Sequence, residues 1–185
     1  YEITTSPTPD GEPSDNIIDA TFAISDSLYS YGRLDAAGVP LSPAGFRSGQ
    51  FTTDWEGCLA FEDPNGSRAT SVGMTISATT SSTEVLTNEF VEIRVYQWDD
   101  VFTDVNDAGL NFSALTQLDA AFFVYGSDLQ DVPVFIPHNS PIPLADNKRY
   151  LFCLNSPSTK IFAGYDSQLD YTTTQGDANS TSNGI

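Results

Sequence analysis

A period of two, repeated in short runs, constrains this chain more than any other feature. Val72, Met74, Ile76 and Ala78 alternate with Gly73, Thr75 and Ser77. Ile18, Ala20, Phe22 and Ile24 alternate with Asp19, Thr21, Ala23 and Ser25, and Val91, Ile93 and Val95 alternate with Glu92, Arg94 and Tyr96. Side chains two apart share one face of a strand, so each run reads as a strand with one buried and one polar face. GCLAF (57–61), PVFIP (133–137), RYLFCL (149–154) and KIFAGY (160–165), with segments 28–34, 46–53 and 89–98, bring the expected total to nine or ten short strands. Turn sequences such as DPNGS (63–67) and ADNK (145–148) separate them. One helix is expected, near 113–121, where Ser113 can cap a run with Leu115, Leu118, Ala121 and Phe122 at helical spacing. With no βαβ rhythm and no internal repeat, the expected fold is all-β: an antiparallel β-sandwich, jelly-roll-like.

The ends differ from the body. Residues 1–16 are rich in Pro, Ser, Thr and acid and read as an extended arm or linker, and residues 172–185 read as a small polar tail or linker. Between them, residues 17–171 form the expected sandwich domain. The chain's 12 Phe, 8 Tyr and 2 Trp, nearly all within this body, supply a real core. The charge is one-sided, with 25 acids against 7 Lys and Arg and a formal net charge of −18. Such a field repels phosphate backbones and anionic lipid, so neither nucleic acid nor a membrane is an expected partner. No stretch approaches the ~18 consecutive apolar residues of a spanning helix.

Catalytic signatures are sparse. No G-x-S-x-G elbow exists; the nearest serines lie in FRSGQ and GYDSQ. A Ser–His–Asp arrangement would need His138, the single histidine, which lies in the Pro-bracketed IPHNSP and reads as exposed and unengaged. Paired carboxylates suffice for glycosidases, but in so acidic a chain some pair is always at hand. The chain is therefore expected not to be an enzyme.

Other residues offer binding chemistry. Cys58 and Cys153 allow one disulfide, closing a loop of about 95 residues; the alternative is two buried free thiols. Asp99, Asp100, Asp104, Asn106 and Asp107 present oxygens of the kind calcium takes. The EF-hand pattern is nonetheless incomplete: Asp104, Asn106 and Gly109 fit, but Leu115 stands where the last ligand would be Glu. A solvated loop whose Asx side chains bond their own backbone is the other reading, and no cofactor besides calcium is implied. Tyr96 and Trp98 share a polar face, and Trp55 opens the strand of Cys58. Exposed, these rings would stack on sugars or anchor a protein; rolled inward, they would form a minor core. The strand of Ile18, Ala20, Phe22 and Ile24, behind a polar arm, could complete a neighbour's sheet or serve as the first strand of its own.

DNIIDATFAISDSLYSYGRLD, FRSGQFTTDWEGCLAFEDPNGSR, VEIRVYQWDD and PIPLADNKRYLFCL with FAGYDSQLDYT, spanning roughly residues 15–172, together resemble a β-sandwich module of large Bacteroidota surface proteins exported by the type IX secretion system. The resemblance implies an extracellular or cell-surface location and a role in adhesion, structure or display, and it brings no functional residues with it. It also draws notice to Asp26–Ser27–Leu28, which fits the short motif on which such bacteria attach O-glycans. The expectation is a non-catalytic structural or adhesive building block that contacts neighbouring copies or other surface proteins, with filament assembly by strand donation as one form of it. The alternative is a carbohydrate-binding module using Tyr96, Trp98 and Trp55, supported by calcium.

Overall fold

A computed structural model describes residues 27–41, 43–46, 55–98, 102–103, 107 and 109–167. The chain divides into two compact units, Tyr1–Leu41 and Ser42–Ile185. In the first, segment 28–34 forms no strand; a single antiparallel bridge joins Leu34 to Pro40. Asp35 shapes the turn between them, its Oδ1 accepting from Ala37 N at 2.8 Å and Val39 N at 2.9 Å. The expected arm 1–16, the expected strand of Ile18, Ala20, Phe22 and Ile24, and the expected tail 172–185 lie outside the described residues.

The second unit holds nine strands among its described residues: β1 (Pro43–Phe46), β2 (Trp55–Asp63), β3 (Thr70–Ile76), β4 (Ala78–Thr79), β5 (Phe90–Trp98), β6 (Thr116–Val124), β7 (Val134–Pro143), β8 (Lys148–Ser156) and β9 (Phe162–Asp166). All pairings are antiparallel. One sheet runs β2-β8-β5-β6. The other layer runs β1-β9-β4 and β3-β7, and it is joined where β3 passes into β4 across Ser77, whose carbonyl accepts from Gly164 N of β9 at 2.8 Å. There the strands run so close that a Cβ on Gly164 would overlap Ser77 Oγ. The pairs β1–β9, β2–β8, β3–β7 and β5–β6 are nested, the first half of the chain laid against the second. A long hairpin folded over itself in this order is a jelly roll.

Burial follows the period of two. Val91, Ile93 and Val95 are fully buried, facing Ile76, Ala78, Ile136 and Ile142 of the opposite layer. Val72 departs from its run and is 58% exposed, because the β3–β7 register slips between Ser71 and Gly73. The turn at DPNGS forms as expected: Asp63 Oδ1 accepts from Asn65 N at 2.7 Å. Gly66 then passes so near Ala145 that a Cβ would overlap the Ala145 carbonyl oxygen.

The helix expected near 113–121 is absent. A single 3-10 turn, Phe112–Ala114, stands there, with Asn111 rather than Ser113 as its cap, followed directly by β6. The apparent helical spacing joins residues buried in different places. Leu115 packs with Trp98 on one side of the sheet, Ala121 with Ile93 on the other, and Phe122 is 74% exposed. Short helices are marginal without tertiary support, whereas the Phe-Phe-Val sequence suits a strand that β5 can pair along its length.

Candidate functional site

The β2-β8-β5-β6 sheet carries chemistry on both faces, and strand alternation decides which. Cys58 and Cys153 are cross-strand partners in the β2–β8 ladder and are joined by a disulfide. Glu56 stands two residues before Cys58, and Arg94 of β5 pairs with Cys153, so these groups share one face. Arg94 Nη1 lies 3.1 Å from Glu56 Oε2, and its Nε donates to Glu92 at 2.7 Å. Burial works against the Arg94 charge, but the hydrogen bond to Glu92 and the charge of Glu56 outweigh it and raise its pKa above the usual guanidinium value. Tyr96 donates to Glu56 Oε1 at 3.1 Å. Its own pKa is raised, first by burial and then by the Glu56 charge. The Glu56 carboxylate and both sulfurs lie within 4.8 Å of one another, yet the sulfurs are spent on their mutual bond and the carboxylate is engaged by Arg94 and Tyr96.

The aromatic residues that the carbohydrate-binding alternative would use are inside. Tyr96 is 5%, Trp98 2% and Trp55 5% exposed, so they present no stacking platform. Phe102, Leu110 and Leu115 cover the face of Tyr96, Trp98 and the disulfide, making a second core there. Trp98 Nε1 donates to Phe102 O at 3.0 Å, and the Arg149 guanidinium lies 4.1 Å above the Trp98 ring while donating to the carbonyls of Phe102 and Thr103. Trp55 belongs to the main core on the opposite face. The minor-core reading of Trp98 is therefore the one observed.

Of the candidate calcium ligands, Asp99, Asp100, Asp104 and Asn106 lie outside the described residues. Asp107 uses Oδ1 to accept from Gly109 N at 2.9 Å, and Oδ2 to accept from Thr103 N and Oγ1. These backbone donors hold its carboxyl below the usual aspartate value. Its oxygens are engaged as the solvated-loop reading expects.

The grouping the sequence did not reveal lies on the inner face. His138, expected to be exposed and unengaged, is in β7 with its side chain fully buried. Opposite it the ladder slips: Ser71 pairs with Ile142 but Gly73 with Pro137, so two steps along β3 meet five along β7. Segment 138–141 bows out of register, and the imidazole turns inward between two polar groups. Its Nδ1 lies 3.1 Å from Asp119 Oδ2 and its Nε2 2.9 Å from Ser71 Oγ. Asp119 is paired with Val95 in β6 and so points into the sandwich. Asn139 steadies it, donating from its side chain to Oδ1 at 3.0 Å and from its backbone to Oδ2 at 3.3 Å. Burial lowers the His138 pKa, opposed by the charge and hydrogen bond of Asp119. No local motif announces this trio, because its members sit 19 and 67 residues from His138. Its only sequence signal is three polar residues on strands that meet.

No protein-family model matches the chain, and neither does any curated protein or solved structure.

Proposed function

We propose that this chain is an extracellular structural or adhesive building block, a stapled sandwich that contacts neighbouring copies or other surface proteins. The observation that carries the reading is the Cys58–Cys153 disulfide across the middle of the β2–β8 ladder. A disulfide buried in the fold suits an oxidising compartment. The aromatic and acidic groups on the same face of the sheet are consumed in packing and internal hydrogen bonds, as suits a scaffold. The burial of Tyr96, Trp98 and Trp55 weighs against the carbohydrate-binding alternative. Ser27, in the Asp26–Ser27–Leu28 motif, is exposed, as an O-glycan acceptor must be.

Assembly by strand donation from Ile18, Ala20, Phe22 and Ile24 is the specific form of this proposal. The test compares the full chain with one lacking residues 1–26 by electron microscopy and sedimentation. The expected result is polymers from the full chain and discrete particles from the truncated one. Polymers from both, or from neither, remove strand donation.

A further inference from the structure

Ser71, His138 and Asp119 come from three strands and meet in the order that a nucleophile, its base and an orienting carboxylate require. Hydrogen bonding fixes that order. An ionised Asp119 can only accept, so the ring proton of neutral His138 sits on Nδ1, and Nε2 keeps its lone pair for the Ser71 hydroxyl. Asn139 occupies both Asp119 oxygens and keeps the carboxylate from turning away. Burial is graded along the line: the His138 side chain is sealed, Asp119 nearly so, and Ser71 is half-buried. Ser71 is thus the member by which a reagent reaches the group. The local slip of the β3–β7 ladder beside it is a device common next to active sites, where it re-aims a side chain.

We infer that Ser71 is a nucleophile toward neutral carboxylic esters of short acyl chains, with His138 as its base and Asp119 as a positioning residue. This goes beyond the building-block reading and does not rest on it. In the first step Ser71 Oγ bonds to the ester carbonyl carbon and its proton passes to His138 Nε2. The carbon–oxygen bond to the alcohol then breaks, and the alcohol leaves with that proton. Water adds to the acyl-serine by the same route, releasing the carboxylic acid and restoring Ser71. Water is the sole co-reactant. A neutral ester fits because a formal charge of −18 disfavours anionic acyl donors. A short acyl chain fits because Ser71 stands across the ladder from Ile142, in the wall of a closed core.

The test is covalent labelling of the whole 185-residue chain with a fluorophosphonate, read by intact mass and peptide mapping. Hydrolysis of 4-nitrophenyl acetate is followed alongside. The expected result is one adduct, on Ser71, with none in Ser71→Ala. Labelling should rise with pH to a plateau as His138 loses its proton, fall roughly 100-fold in His138→Gln, and show an altered pH profile in Asp119→Asn. A wild-type chain that is folded and disulfide-bonded yet takes up no probe overturns the assignment. Labelling that persists in Ser71→Ala overturns it too. Ser71→Ala removes one hydroxyl, so its melting temperature separates lost chemistry from lost fold. Should His138→Gln unfold, the wild-type pH profile and Ser71→Ala still decide the matter.

Discussion

The Tyr125 hydroxyl is enclosed in the main core with no hydrogen-bond partner among the described residues, and burial alone pushes its pKa up to about 12. Tyr125→Phe removes that unsatisfied group and keeps the ring against Phe123, so a gain of about 1 kcal/mol in urea unfolding is expected. His138 gives the complementary case. Its folded pKa lies below the usual 6.5, so the unfolded chain binds its proton more readily. Stability is then full above pH 6.5 and falls as pH drops from there toward the folded pKa. With one histidine in the chain, urea titrations at pH 7.5 and 5.5 should show this loss, and His138→Phe should flatten it. Neither residue's role was legible in the sequence. His138 between prolines reads as a turn because its partners lie on other strands, and local sequence carries no mark of a ladder that slips.

At the scale of elements, legibility depended on whether one face alone was buried. β5 could be read because Val91, Ile93 and Val95 face one core. Its other face was harder: Tyr96 and Trp98 were seen to share a side, but the cover from Phe102, Leu110 and Leu115 has no periodicity to betray it. β6 and the Leu115 before it were misread because the ten residues 115–124 serve two cores and solvent. The strand assignment makes adjacent positions differ sharply. Phe122→Lys on the exposed side should change stability by less than about 0.5 kcal/mol, while Ala121→Lys buries a charge among Ile93 and Tyr125 and should cost roughly 3 kcal/mol or more. Equal losses in chemical denaturation would contradict the register. The disulfide was legible only as one of two options, since pairing requires strands 95 residues apart to be neighbours.

For the whole molecule, the nested order means that every principal pairing joins distant parts of the chain, which makes closure of the outer pairs entropically costly. Cys58–Cys153 removes much of that cost by holding β2 to β8 in the unfolded chain. Replacing both cysteines with alanine should lower stability by about 4 to 5 kcal/mol, read as a shift of the urea midpoint that reductant reproduces in the wild type. The same staple has a mechanical meaning. Pro43 and Asp166 face each other at the end of the β1–β9 pair, so tension applied through the flanking segments peels that pair open bond by bond, as a zipper opens. The peel can travel inward along the nested pairs only as far as the cysteines. There the covalent bond takes the load, and residues 59–152 lie outside the path of force. A tether made of such units would lengthen by two short arms and then stop.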